Sequence, residues 1–171
     1  MSQRLSDTPG AGDALALIED AYRSRPMRSG RTAQHPIAVA ELLLADSQPA
    51  SVIVTGLLHD VLEDTQVTAD ELRDRFRAEI ARSVNALTQD ASIAQYQERK
   101  AALRAQILAA GANVAAVSLA DKLAKLDSRA KRPPERKLSH YRATLEAIEQ
   151  RYGHSALSEQ LGAQLARWPQ S

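Results

Sequence analysis

An all-α helical bundle is the fold class the sequence predicts. Three observations carry it. Apolar residues recur at helical spacing along nearly the whole chain, as in Leu15, Leu17, Ile18, Ala21 and Tyr22. No pair of alternating runs joined by a tight turn suggests a hairpin. The segment Gly56–Asp64, GLLHDVLED, spaces its polar residues one helical turn apart, a pattern with meaning on a helix and none on a strand.

The elements follow in order. Residues 1–12, rich in Gly, Pro and Ser, are expected to be disordered, leaving 13–171 as a single domain. A first helix runs from Ala14 to Arg23. Arg25 to Gln34, with Pro26 and Gly30, is a loop. The second helix begins near His35, where Pro36 suits the first turn, and ends near Asp46. Pro49 opens a third helix through Glu63. Thr68-Ala69-Asp70-Glu71 has the form of a capping box and starts a fourth helix, which breaks near Phe76 and resumes to Leu87. Ala94–Ala110 and Ala112–Ser128 are divided at Gly111. After a break over Lys131–Pro134, Glu135–Tyr152 and Ser155–Trp168 complete the bundle.

Composition narrows the function classes. The chain of 171 residues is long enough for one domain with a sizeable core. One Trp and one Phe leave Leu, Ala, Ile and Val to build that core. With no cysteine, disulfides and thiolate ligands are excluded, so any metal binds through imidazole and carboxylate. The N-terminus lacks the apolar stretch of a secretory signal, and no run approaches the ~18 residues of a membrane span. A cytoplasmic protein is expected, with no membrane partner. Net charge is +1, but basic residues cluster. Arg23, Arg25, Arg28 and Arg31 occur without an acid, and Lys122–Lys137 is strongly basic. These stretches are either solvated surface or a rim for an anionic substrate. A nucleic-acid groove is disfavoured, because aromatics for base stacking are scarce there.

The chemistry concentrates around His59-Asp60. Val52-Ile53-Val54 and Leu57-Leu58 precede the pair, so the segment should be buried. On a helix His59 stacks with Glu63, and Asp60 with Asp64. Titratable groups in such a place are costly unless something satisfies them, and a divalent metal would. His35, upstream in AQHPIAVA, and Asp121, downstream in SLADKLAKL, complete a set of two imidazoles and two carboxylates. Such a set suits Mn, Fe or Zn. Taken alone, His35 reads equally as a packed histidine, and Asp121 as a partner of Lys122 or Lys125. Glu63 and Asp64 are spare carboxylates able to orient or deprotonate a water, or simply a flank to the turn that follows. His140 and His154 lie outside these motifs and are expected on the surface.

The segments HPIAVAELL, TGLLHDVLEDTQVTADEL, FRAEIARSVNALTQD and SLADKLAKL resemble the HD superfamily of metal-dependent phosphohydrolases. More narrowly, they resemble the hydrolase domain of RelA/SpoT proteins and the stand-alone small alarmone hydrolases. The resemblance covers roughly residues 14–150. With no synthetase or regulatory region in the sequence, a stand-alone hydrolase is expected. The resemblance implies an all-α HD bundle with Mn²⁺ held by His35, His59, Asp60 and Asp121, and Glu63 and Asp64 as the catalytic acidic pair. It implies hydrolysis of the 3′-pyrophosphate of ppGpp or pppGpp to GDP or GTP and pyrophosphate. Arg28, Arg99, Lys100, Lys122 and Tyr141 match positions near the nucleotide, and Lys125 stands close to the last ligand.

Two departures bear on the substrate. The family's Pro-Tyr pair before the first ligand is replaced by Arg31-Thr32-Ala33-Gln34, and Lys125 stands where Asn is common. Hydrolysis of another phosphorylated nucleotide or dinucleotide cofactor therefore stays open, as does a non-catalytic nucleotide-binding module. Nothing resembles a P-loop, a Rossmann turn or a nucleophilic triad. A homodimer is compatible with this much Leu and Ala, although no seam stands out.

Overall fold

The computed structural model describes residues 3–23, 32–127 and 131–169. Among them the elements are α1 (Gln3–Ser6), α2 (Ala11–Arg23), α3 (Gln34–Ala45), α4 (Ala50–Leu58), α5 (Val61–Asp64), α6 (Ala69–Arg75), α7 (Ala78–Leu87), α8 (Tyr96–Ala110), α9 (Ala112–Asp127), α10 (Glu135–Tyr152) and α11 (Ala156–Ala166). No strand occurs among the described residues, and no helix there is long and apolar enough to cross a membrane.

Helix α9 is the axis of the bundle. It packs against α3, α4, α7, α8, α10 and α11. Val117, Leu119, Ala120, Leu123 and Leu126 are all buried, so apolar residues cover most of its circumference, as a central helix requires. Each Leu or Val so buried contributes about 1.5–3 kcal/mol of transfer free energy. Helices α3 and α4 cross closely at Gly56. A Cβ at that position would lie 2.5 Å from Leu43 Cδ1 and 3.5 Å from Val39 Cγ1. Glycine thereby brings the helix carrying His35 close to the helix leading to His59.

Caps and breaks follow the punctuation in the sequence. Thr68 Oγ1 accepts from the Glu71 amide at 3.2 Å, and Ser155 and Ser158 form a reciprocal capping box. Gly111 separates α8 from α9 with φ 111°, in the left-handed half that glycine tolerates.

Two expectations are corrected. Residues 3–12 are not a disordered lead. Leu5 on α1 is fully buried, and α1 packs on α2 and α3. Leu5, with Ala11 fully buried beyond it, docks a segment whose composition alone reads as unstructured. The helix expected from Pro49 through Glu63 is also interrupted at His59-Asp60. Asp60 takes φ −100°, ψ −2°, in the bridge region. Its carbonyl then receives the amides of Glu63 (3.1 Å) and Asp64 (2.9 Å), restarting the chain as α5. The pair therefore sits at a joint, and its side chains are aimed by the bend rather than by one continuous helical face.

Candidate metal centre and active-site cleft

Four side chains converge beside α9. His35 comes from the first turn of α3, His59 and Asp60 from the α4–α5 joint, and Asp121 from the middle of α9. Their ligating atoms all lie within 4.8 Å of one another. His35 Nε2 is 2.9 Å from Asp121 Oδ1 and 3.7 Å from Asp60 Oδ2. His59 Nε2 is 3.2 Å from Asp60 Oδ2 and 3.3 Å from Asp121 Oδ1.

The donor set fits a divalent ion. His59 Nδ1 lies 2.8 Å from the Gly56 carbonyl. A carbonyl can only accept, so Nδ1 carries a hydrogen, and the neutral ring would present its Nε2 lone pair to the cluster, the outer-shell arrangement that orients metal-binding histidines. Nε2 is buried without a hydrogen bond, despite the two carboxylate oxygens near it. Closeness without hydrogen-bond alignment is expected of atoms aimed at a shared cation. Two imidazoles and two carboxylates suit a first-row divalent metal.

The charged groups of the cluster also set one another's protonation. Burial opposes charge on His59, Asp60 and Asp121, yet their neighbours hold all three charged. Burial alone would lower the His59 imidazole, but Asp60 and Asp121 push it up to about 10. Burial would raise Asp60 and Asp121. The positive charges of His59 and Lys125 hold Asp60 well below the carboxylate range, and Lys125 with the hydrogen-bonded His35 imidazole does the same for Asp121. Lys125 Nζ lies 2.5 Å from Asp121 Oδ1 and 3.7 Å from Asp60 Oδ2. Burial would lower it, but these carboxylates hold it well above the usual lysine range.

The cluster opens on a cleft of about 400 Å³ whose lining carries Lys100, Lys122, Lys125, Arg136 and Lys137. Lys122 is buried and donates to the Ser118 carbonyl (3.2 Å) and hydroxyl (2.8 Å). Burial pushes its ammonium down to about 8. The Tyr141 ring lies 5.8 Å from Lys122 Nζ and 5.7 Å from Lys137 Nζ. Glu63 also lines the cleft. Its carboxylate accepts from the Gln89 amide (2.8 Å) and from Gln89 Nε2 (2.9 Å). Burial of the carboxyl pushes Glu63 up despite those donors. Gln89 Oε1 in turn accepts from Lys100 Nζ (2.8 Å) and Arg99 Nε (3.3 Å).

The structure thus brings His35, His59, Asp60, Asp121, Glu63, Lys100, Lys122, Lys125 and Tyr141 to one place. Asp64 is not among the cleft-lining residues. Arg99 is turned onto the Ile93 and Ala94 carbonyls, at 2.5 and 3.1 Å, and fastens the loop before α8. Arg28 lies outside the described residues. His154 is exposed as expected, but His140 is buried and lines the cleft. Its neighbours Leu138, Tyr141 and Thr144 are buried with it, which turns this stretch of α10 toward the core. Sequence reasoning also missed Gln89 and Tyr96. Tyr96 stands at the cleft within 6.0 Å of Arg99, 5.8 Å of Lys100 and 5.3 Å of Arg136. Gln89 lies inside the quoted FRAEIARSVNALTQD segment, but its role required knowing that Glu63 faces it.

A profile of the HD domain matches residues 14–155, and the chain belongs to the HD-domain family. A guanosine-3′,5′-bis(diphosphate) 3′-pyrophosphohydrolase of Spiroplasma citri is 32% identical over 159 residues, covering 86% of this chain and 21% of that protein. The chain thus spans about a fifth of the length of that relative. A human protein of the same activity name is 34% identical over 119 residues, covering 68% of this chain and 65% of the relative. Among solved structures, a metazoan ortholog of SpoT, described as hydrolysing ppGpp, superposes with TM-score 0.73 at 22% identity, over 91% of this chain and 93% of that one. A Listeria monocytogenes protein superposes with TM-score 0.68 at 26% identity, over 78% and 92%.

Proposed function

We propose that this chain is a divalent-metal-dependent pyrophosphohydrolase that removes the 3′-pyrophosphate of ppGpp or pppGpp, giving GDP or GTP and pyrophosphate. One observation carries the reading: a two-imidazole, two-carboxylate cluster opens directly onto a cleft lined with Lys and Arg. The activity names of the relatives support the substrate. We further infer that residues 13–171 act as one domain and that the ion is Mn²⁺. The guanine nucleotide substrate, an intracellular metabolite, supports a cytoplasmic setting.

His35, His59, Asp60 and Asp121 would hold the ion, which supplies Lewis acidity to a phosphoryl oxygen and acidifies water. The protein's own groups do the rest. Lys100, Lys122, Arg136 and Lys137 bind and neutralise the phosphates, and the partly enclosed cleft strengthens each of these contacts. Glu63, fixed by two Gln89 N–H groups, orients the attacking water and takes its proton. Asp64 has no place in this scheme beyond supporting the joint.

The test is product analysis after incubating Mn²⁺-loaded protein with ppGpp, with Asp60→Ala beside it. Release of GDP and pyrophosphate by the wild type alone is the expected result. No turnover by metal-bound wild type would overturn the alarmone reading. Lys125 beside the ligands favours the second reading, another phosphorylated nucleotide, and in that case a panel of 2′- and 3′-phosphorylated nucleotides would show turnover instead.

A further inference from the structure

We propose that Lys125 is a resident counter-cation of the metal centre, competing with the divalent ion for the Asp60 and Asp121 carboxylates and thereby weakening metal affinity. The inference rests on the metal site proposed above.

The geometry is specific. Lys125 Nζ approaches Asp121 Oδ1 at 2.5 Å and Asp60 Oδ2 at 3.7 Å. These are the same two oxygens that approach the imidazole nitrogens. One oxygen serving an ammonium at full strength has less to offer a metal. The pairing is built into the fold, since Asp121 and Lys125 are four apart on α9, with the acid N-terminal to the base as a helix prefers. It is also shielded, with side-chain exposures of 19% for Lys125, 15% for Asp121 and 10% for Asp60. Screening by salt is weak at such a site, so the repulsion between ammonium and metal persists at physiological ionic strength.

Charge counting gives the direction. With both imidazoles neutral, as metal binding requires, the two carboxylates present −2 to an incoming ion, and the ammonium reduces this to −1. A neutral side chain at position 125 would leave the full attraction. The same ammonium stabilises the metal-free protein, which would otherwise hold two adjacent buried carboxylates with less compensation. Lys125 thus shifts the balance toward the empty centre from both sides.

The experiment measures Mn²⁺ affinity by the loss of the free-ion EPR signal, and thermal stability with and without Mn²⁺. Wild type, Lys125→Met, Lys125→Arg and Asp60→Ala would be compared. Lys125→Met should bind Mn²⁺ about tenfold or more tightly than wild type, as expected for removing one nearby like charge. It should melt lower than wild type without metal and recover with saturating Mn²⁺. Lys125→Arg, which keeps the positive charge beside the carboxylates, should stay within about threefold of wild type. Equal affinities in wild type and Lys125→Met would overturn the proposal while leaving the metal site standing. So would a melting deficit in Lys125→Met that metal does not repair, because a purely structural lysine predicts that outcome. Absence of Mn²⁺ binding in every protein would overturn this inference together with the metal site.

Discussion

His140 should make the protein acid-sensitive through a single buried imidazole. Lys122 on α9 and Lys100 and Arg104 on α8 surround it with positive charge, and Asp121 on α9 offers a weaker opposing one. Arg104 lies 3.3 Å from Nδ1, and Thr144 Oγ1 lies 3.4 Å from it. Burial first, and these cations next, push the imidazole down to about 2 from the ordinary 6.5. The folded protein therefore leaves His140 neutral at any working pH, whereas the unfolded chain protonates it below 6.5. Between those values the unfolded state binds more protons, so stability is complete above pH 6.5 and falls as pH drops toward 2. The slope approaches about 1.4 kcal/mol per pH unit, which places the loss near 2 kcal/mol at pH 5. That figure depends on the unfolded pKa and holds for any folded value well below 5. The assay is urea unfolding of wild type and His140→Gln at pH 8, 7, 6 and 5 in the presence of chelator. The glutamine introduces a constant offset, and groups elsewhere titrate alike in both proteins. The difference in unfolding free energy should therefore shrink by about 2 kcal/mol between pH 8 and pH 5. A difference that stays flat with pH would refute the assignment of His140 as a buried neutral base among cations.

Gln89→Ala removes the side-chain donor to Glu63 and the acceptor for Lys100 and Arg99. With Glu63 left on one backbone amide, kcat should fall about tenfold to a hundredfold while Mn²⁺ binding is unchanged, checked by steady-state kinetics and metal titration. Leu123→Ala opens a cavity in the central helix and should destabilise the protein by about 2–5 kcal/mol in urea titration. Ser155→Ala breaks the capping box of α11 and should cost about 1 kcal/mol, read as a melting point about 2–4 °C lower with the cleft intact.

The helices were legible because their ends are written in residues of fixed conformational meaning. Gly111 divides α8 from α9, Thr68 caps α6, and Pro134 precedes α10. The four converging side chains were legible because His and Asp in apolar surroundings have few other reasons to be there. The joint at His59-Asp60 was not, since its residues have no special backbone preference and only tertiary packing bends the chain there. The cleft walls were half-legible. The basic stretch after Lys122 signalled a rim, but which cations face inward depends on how α10 lies across α9. His140 was missed for that reason: a histidine between Ser139 and Tyr141 carries no local mark of burial. Leu5 was missed for the opposite reason, because one apolar residue among Ser, Thr and Gly leaves no periodicity to detect.

Helix α9 joins stability to chemistry. Ser118, Asp121, Lys122 and Lys125 fall at positions i, i+3, i+4 and i+7, the spacing of one helical face. On an ordinary surface helix that stripe would meet solvent. Here Leu119, Leu123 and Leu126 fill the core, and the polar stripe meets the cleft. Its charges are tolerable because they are paired: Lys122 with the Ser118 oxygens, and Lys125 with Asp121. The helix cannot shift along its axis without moving Asp121, two cations and the core leucines together. The geometry of the His-Asp cluster therefore inherits the rigidity of the core, and the ammonium of Lys125 is held against the cluster by the same register that places Asp121 in it.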